Sequence, residues 1–300
     1  MKTYDYIKQR WQSLAGGLAA LLLFFAVQGC TDNDIASPNR AVVDENGMVT
    51  LSFNTNIPGL KLTKSVDING ESISTLWLVA FNENGNMISR VLATLTSNSV
   101  SGIDGGSGTF TAQVPSSTRS LHFLANVNMD NFSDQDNIGR SESEVIAPMV
   151  SSSGNLVYWG RKTFNDVEEL KTFAAGGNES SPVLLYRNQA VVQYELKPAS
   201  GVGLRVLGWA ALNQYAYGTV APYDATADDP FRFDLGTYDF ATTLPEVYNV
   251  KQTDVENVGQ ASDLEGDPRY LFETSNPQDD QVYLIMQIEK TEDSRTTTKY

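Results

Sequence analysis

Short apolar stretches recur along the chain, and residues that favour turns separate them. Val49, Leu51 and Phe53 alternate with polar residues, which is the period of a strand that buries one face. Residues 76–81 (LWLVAF) are apolar throughout, as in a strand covered on both faces. Heptads and short tandem repeats are absent from the sequence. The pattern therefore predicts an all-β chain built from many short strands.

The remaining elements are predicted by the same criteria. Further strands are expected over 87–95, 108–114, 121–127, 158–160, 183–187, 190–196, 204–211, 270–273 and 282–289. A short helix is expected over 141–147, and Asp166 is a candidate N-cap for a second helix over 167–174. Many short strands with few helices predict two β-sandwich domains in tandem, over 48–182 and 183–300.

The N-terminus has the layout of a secretory signal. Basic residues precede an apolar run over 14–27, which is too short to span a bilayer stably and is followed by Cys30. We interpret residues 1–29 as a lipoprotein signal peptide and Cys30 as the lipidation site, which would carry diacylglycerol with further acylation by chains such as palmitate. The alternative is an ordinary cleaved signal with an incidental cysteine.

Composition restricts the partners and cross-links of the mature chain. Residues 1–29 hold three basic side chains and one acidic side chain, so their removal takes the net charge from −15 to −17. Such a surface would repel nucleic acid, which is therefore not an expected partner. Residues 30–47 are acidic and polar, as in a tether. Cys30 is the single cysteine, which excludes an intrachain disulfide.

The sequence gives little support to catalysis. His122 is the single histidine and lies within an apolar strand pattern, where a satisfied core position is the favoured interpretation. The nucleophile-elbow, zinc-protease and phosphate-loop motifs are absent from the sequence. The acidic loop that contains Asp130, Asp134 and Asp136 lacks the EF-hand order and is interpreted as solvated. We therefore predict no enzyme, no cofactor and no metal site.

Several ordered segments together resemble the fimbrillin family, the subunits of Bacteroidetes lipoprotein-derived (type V) pili. The segments cover residues 26–30, 49–54, 66–89, 123–128, 147–150, 184–196 and 270–277. The resemblance implies two transthyretin-like β-sandwiches, exported as a lipoprotein. It also implies that the first mature strand fills its own sandwich until a trypsin-like protease removes it. A strand from another subunit then occupies the vacated groove, which is donor-strand exchange.

The resemblance assigns roles to particular residues. Val49, Leu51 and Phe53 form the candidate plug strand. The candidate processing sites are Lys64 and Lys61, which follow this strand, and Arg40, which precedes it. Cleavage at Arg40 would leave the strand attached, so we expect that processing either uses Lys64 or does not occur. A subunit that keeps the strand would be terminal or anchoring.

The family pattern usually continues beyond the last predicted strand through strands that act as donors. This sequence ends at residues 296–300 (TTTKY), which leaves open whether the second domain is complete. The expected function is that of a structural subunit of a cell-surface fimbrium that supports adhesion. Its expected partners are other fimbrial subunits and, through the lipid, the outer membrane.

One alternative is a lipid-anchored carbohydrate-binding protein of a glycan-uptake system, which would present exposed aromatic side chains. Trp77 and Trp209 lie in apolar strand patterns that favour the core, whereas the sequence leaves the position of Trp159 open.

Overall fold

The computed structural model describes residues 41–58, 73–97, 107–152, 154–175, 182–192, 194–233, 251–257, 269–272 and 281–299. The lipidation site Cys30 and the candidate processing sites Arg40, Lys61 and Lys64 lie outside these ranges. In the described ranges, none of the helices has the length and apolarity needed to cross a bilayer.

The described residues form seventeen strands and three short helices. The strands are β1 Met48–Asn56, β2 Leu76–Phe81, β3 Met87–Leu92, β4 Thr94–Ser97, β5 Ser107–Pro115, β6 Ser120–Ala125, β7 Val150–Ser152, β8 Tyr158–Thr163, β9 Val183–Leu184, β10 Tyr186–Arg187, β11 Gln189–Val192, β12 Gly203–Tyr215, β13 Tyr217–Thr219, β14 Lys251–Asn257, β15 Arg269–Phe272, β16 Tyr283–Glu292 and β17 Arg295–Lys299. The helices are α1 Asp134–Asn137, α2 Glu142–Ile146 and α3 Val167–Ala174. The prediction of an all-β chain with a few short helices is confirmed.

The first half of the chain forms a β-sandwich. One sheet has the order β4-β5-β1-β9, in which β1 is antiparallel to β5 and parallel to β9. The facing sheet has the order β10-β8-β6-β2-β3 and is antiparallel throughout. Apolar side chains from both sheets interdigitate to form a shared core, and α3 adds Leu170 and Phe173 to it.

A second apolar cluster covers the outer face of the five-stranded sheet. Val79, Phe81 and Trp159 point away from the sandwich core and pack against Ile146 of α2 and Phe231 of a later segment. This cover explains why the stretch 76–81 is apolar on both faces. The strand is buried by the sandwich core on one side and by the second cluster on the other.

The second half of the chain contributes smaller sheets. The largest has the order β14-β12-β16-β17, and β12 is irregular between Ala211 and Gln214 where it pairs with β14. The hairpin between β16 and β17 turns at Asp293 and Ser294, whose φ angles of 49° and 64° are those of a type I′ turn. Two-stranded pairs join β11 to β15 and β7 to β13.

Two predicted strands are each divided between sheets. The predicted strand 87–95 is β3 in one sheet and β4 in the other, because the chain crosses the sandwich at Ala93. The predicted strand 183–187 is likewise divided into β9 and β10. The pairs β9–β1 and β13–β7 connect residues on the two sides of residue 182. The division into domains at 48–182 and 183–300 stays a prediction.

Gly160 of β8 provides a test of how closely β8 packs against the chain where it passes from β9 to β10. A Cβ atom at Gly160 would lie 2.5 Å from the backbone oxygen of Leu184 and 3.1 Å from the Leu185 side chain. Because a backbone oxygen cannot rotate away, we expect Gly160→Ala to lower the free energy of unfolding by about 1–3 kcal/mol in urea denaturation.

Gly203 of β12 is the matched control for this substitution. A Cβ atom there would lie 3.5 Å from its nearest neighbour, the Cβ of Thr291, which is ordinary van der Waals contact. We expect Gly203→Ala to change the free energy of unfolding by less than about 0.5 kcal/mol. Equal losses for the two variants would contradict the close approach of β8 and β9.

Candidate functional site

The backbone of β1 is fully paired on one edge and sparsely paired on the other. All nine residues of β1 pair with β5. Among the described residues, the other edge pairs with β9 at Thr55 and Asn56 and makes isolated bridges at Val49 and Ser52. Most of β1 therefore lies at the border of its sheet, and one row of cross-strand hydrogen bonds holds it along its length.

The side chains of β1 enter the sandwich at every second position. Val49, Leu51 and Phe53 are at most 1 % exposed, whereas Thr50 and Ser52 face outward. Burial of three apolar side chains of this size contributes roughly 4–9 kcal/mol before the cost of ordering the strand. The three residues predicted as a plug strand thus lie together, on one face and in the core.

Phe53 is surrounded by aromatic rings. Its ring centroid lies 6.0 Å from that of Phe110, 5.3 Å from that of Phe123 and 5.9 Å from that of Phe173. These rings come from β5, β6 and α3, so a single side chain of β1 contacts both sheets and the helix. The contact with Phe123 is edge-to-face and the other two are stacked, and aromatic pairs in these arrangements add to the energy of area burial.

Helix α3 closes the core beside β1, and its sequence explains where it begins. The Asp166 side chain accepts hydrogen bonds from the backbone N–H groups of Glu168 and Glu169, both at 2.9 Å, which confirms the predicted N-cap. The apolar side of the helix then buries Leu170 and Phe173. Three predicted features, the strand, the cap and the helix, therefore meet at one site.

A polar cluster lies on the opposite, outer face of the five-stranded sheet, centred on His122. The Trp159 indole N–H donates to His122 Nδ1 at 2.9 Å, and His122 Nε2 contacts the Glu142 carboxylate. A ring that accepts at Nδ1 and donates at Nε2 is neutral. Complete burial lowers the pKa of His122, and this effect outweighs the neighbouring Glu142 carboxylate, which raises it.

Arg161 connects this cluster to the second half of the chain. Its guanidinium donates to Glu142 Oε1 at 2.6 Å and to the two carboxylate oxygens of Asp229 at 2.9 and 2.8 Å. Burial would raise the pKa of Glu142, but hydrogen bonds from His122 and Arg161, the charge of Arg161 and, once the ring is protonated, the charge of His122 outweigh burial and hold that pKa at about 2.

The His122 cluster has the character of a structural network rather than of a catalytic site. Both ring nitrogens are engaged inside the core and the ring is 0 % exposed, which confirms the predicted satisfied core position. Sequence reasoning missed Glu142, Arg161 and Asp229. The one available signal was local, because Arg161 lies two residues after Trp159 in the same strand and therefore shares its face.

The three tryptophans in the described ranges do not form an exposed aromatic surface. Trp159 is 3 % and Trp209 is 4 % exposed, and Trp77 is half-buried with the Arg90 guanidinium 4.7 Å above its ring. The predicted core position is confirmed for Trp209, whereas Trp77 lies only at the margin of the core, and Trp159 is assigned to the core. Trp159 is consequently unavailable as a stacking surface for a sugar ring.

Comparison with known proteins gives two curated relatives with significant sequence similarity, both of them FimE sequences from Porphyromonas gingivalis. The chain is 26% identical over 212 residues to the major fimbrium tip subunit FimE of Porphyromonas gingivalis. The match covers 69% of this chain and 34% of the relative, so the chain spans about a third of the length of the curated relatives it matches. No protein-family model matches the chain. The relationship confirms the resemblance to the fimbrillin family.

Two solved structures of fimbrial proteins are also similar to this chain. The tip fimbrial protein Mfa3 from Porphyromonas gingivalis, with a C-terminal truncation, is 12% identical with a TM-score of 0.43, covering 84% of this chain and 80% of that one. A fimbrial assembly protein from Parabacteroides distasonis is 13% identical with a TM-score of 0.36, covering 84% of this chain and all of that one.

Proposed function

We propose that this relative of the fimbrillins is a structural subunit of a cell-surface fimbrium that supports adhesion. In this proposal the chain is exported as a lipoprotein through Cys30 and is joined to other subunits by donor-strand exchange at the groove that β1 occupies. The observation that carries the proposal is the combination found in β1. Its alternate side chains are fully buried, yet among the described residues its backbone lies mostly at the border of a sheet.

That combination suits a replaceable strand. Removal of β1 would leave β5 with an unpaired edge and would expose apolar pockets previously filled by Val49, Leu51 and Phe53. Both are costly in water, and an incoming strand with the same alternation would satisfy both. Because the edge opposite β5 is paired at few positions within the described part of the chain, little else there has to move when one strand replaces another.

The proposal implies two kinds of partner, the outer membrane and other fimbrial subunits. Lipid at Cys30 would hold the chain at the outer membrane for as long as residues 30–64 stay attached, since several acyl chains together anchor a protein where one does not. Other fimbrial subunits would supply or receive the exchanged strand. Whether this chain occupies the shaft, the tip or the anchor depends on whether β1 is retained after export.

The N-terminal residue of the protein isolated from cells shows whether β1 has been removed. We expect protein isolated from assembled fimbriae to begin at Ser65, which corresponds to cleavage after Lys64 and removal of β1. Mass spectrometry of the N-terminal peptide measures this directly, including when an acyl group blocks the terminus. Lys64→Gln is expected to abolish the Ser65 terminus.

Lys61→Gln is the matched control and should leave the Ser65 terminus in place. A terminus at Leu62 would assign processing to Lys61 and overturn the choice of Lys64. A terminus at Ala41, or an acylated Cys30, would show that β1 stays attached, which contradicts its removal and supports a terminal or anchoring subunit.

A further inference from the structure

Residues 217–233, here called the strap, lie over the outer face of the five-stranded sheet of the first sandwich. Val220, Ala221 and Phe231 of the strap are at most 2 % exposed and belong to the same apolar cluster as Trp159. The strap comes from the second half of the chain. It therefore connects that half to the outer face of the sandwich, on the side away from β1.

The strap is attached differently at its two ends. At its start, β13 pairs with β7, and the Asn188 side-chain amide donates to the Thr219 carbonyl at 3.1 Å. Near its end, Asp229 accepts two hydrogen bonds from Arg161, and the Phe231 ring lies edge-on to the His122 ring at 5.0 Å between centroids. The Phe233 ring also lies 6.4 Å from that of Trp159 and 4.7 Å from that of Tyr186. Backbone pairing holds the first end, whereas a charged cluster and several aromatic contacts hold the second.

We propose that His122 is an acid-sensitive latch that holds the second end of the strap against the sandwich. At neutral pH the ring is uncharged and accepts the Trp159 N–H at Nδ1. A proton added in acid can bind only at Nδ1, where it displaces that hydrogen bond. The resulting imidazolium would be enclosed by the rings of Phe81, Trp159 and Phe231. Lifting Phe231 away would let water reach this charge.

The charged groups around His122 determine the direction of the response. Glu142 from α2 and Asp229 from the strap favour the imidazolium, whereas Arg161 from β8 and complete burial oppose it. Burial is the largest of these influences, so the closed latch disfavours the proton and the open latch, in which water reaches the ring, accepts it. By linkage, acidification below the ordinary histidine range shifts the equilibrium towards the open strap.

Hydrogen exchange on the full-length chain in detergent tests the latch. We expect peptides that cover the strap to exchange at least about threefold faster at pH 4.5 than at pH 7.5, after correction for intrinsic exchange. Glu142 stays ionised at both values because its pKa is about 2. His122→Gln keeps a donor near Glu142 but does not titrate, so the strap of this variant should show no acid response.

The chain offers an internal control for protonation of ordinary carboxylates. Arg90 and Asp134 form an ion pair whose side chains are 15 % and 45 % exposed, almost the same as the 14 % and 44 % of Arg161 and Asp229. Peptides around α1, which contains Asp134, should not follow the strap. An equal acid response in those peptides, or an acid response retained in His122→Gln, would overturn the proposal.

A second pair of variants keeps the proposal testable if His122→Gln does not fold. At pH 7.5, Asp229→Asn should raise exchange in the strap at least about threefold, whereas Asp134→Asn should leave the strap unchanged. Unchanged exchange in the strap of Asp229→Asn would show that the cluster does not hold the strap. Wild-type exchange in the strap that is the same at both pH values would exclude an acid-sensitive latch.

Discussion

Replacing Phe53 by alanine is expected to lower the free energy of unfolding by about 3–5 kcal/mol. The side chain is 1 % exposed, and its ring contacts Phe110, Phe123 and Phe173, so truncation leaves a cavity at the point where both sheets and α3 meet. Urea denaturation followed by circular dichroism measures the loss. The slope of the free energy of unfolding against urea concentration should stay unchanged if the variant has the same fold as the wild type.

The matched control is Ser52→Ala in the same strand. Ser52 faces outward, so its truncation should change the free energy of unfolding by less than about 0.5 kcal/mol. Similar values for the two variants would mean that β1 is not a constitutive part of the sandwich. In that case the proposed plug strand would have no energetic basis.

The expected loss also bears on how subunits could exchange strands. A strand that contributes several kcal/mol through three buried side chains cannot leave without a replacement of similar shape, because the empty groove would be unstable. Its backbone hydrogen bonds, however, run mainly to β5. Addition of a strand from another chain has two requirements. Buried side chains must provide the binding energy, and one neighbouring strand must fix the position of the incoming backbone.

Local pattern alone predicted strands that are buried on one face or on both. The alternation of Val49, Leu51 and Phe53 placed β1 correctly, and the apolar run 76–81 matches β2 residue for residue. The cap at Asp166 likewise located the start of α3. These features depend on side-chain periodicity or on a hydrogen bond within a few residues, both of which can be read from one sequence.

Features that depend on the path of the chain were not predicted. Residues 87–95 carry a continuous strand pattern, and the pattern does not show that the chain changes sheets at Ala93. The strands β14 (KQTDVEN) and β17 (RTTTK) were missed because neither has the apolar alternation that marks a strand with one buried face.

The partners of His122 in the polar cluster could not be predicted from the sequence for the same reason. The strand pattern gave the burial of His122, but its partner Glu142 lies 20 residues away, and Asp229 lies 68 residues beyond Arg161. A charge pair formed by residues so far apart in sequence leaves no periodic signal. Only the folded chain shows that these groups compensate one another.

The second large effect is expected in acid, where the Glu142 carboxylate loses its contribution to stability. Its pKa is about 2 in the folded protein against an ordinary value of 4.5, and each pKa unit corresponds to about 1.4 kcal/mol. Between these values the unfolded chain binds the proton more readily. The stabilisation of about 3 kcal/mol is therefore complete above pH 4.5 and is lost as the pH falls towards 2.

His122 changes stability in the same direction over a higher pH range. Burial lowers its pKa in the folded protein, so the unfolded chain takes up a proton first as the pH falls below about 6.5. The free energy of unfolding should consequently decrease in two stages on acidification, first with His122 and then with Glu142. Denaturant titrations at a series of pH values between 7 and 2 measure both stages.

Glu142→Gln separates the carboxylate from other acid effects. We expect the variant to be less stable than the wild type by about 3 kcal/mol at pH 6, with the difference closing as the pH approaches 2, because the wild-type carboxyl is then becoming neutral as well.

Glu144→Gln on the same helix is the matched control. The hydrogen bonds with Ser141 lower the pKa of Glu144, but the group is exposed and glutamine also supports this capping box, so this variant should stay close to the wild-type curve. A gap between wild type and Glu142→Gln that stays constant from pH 6 to pH 2 would show that the charge of Glu142 does not stabilise the fold.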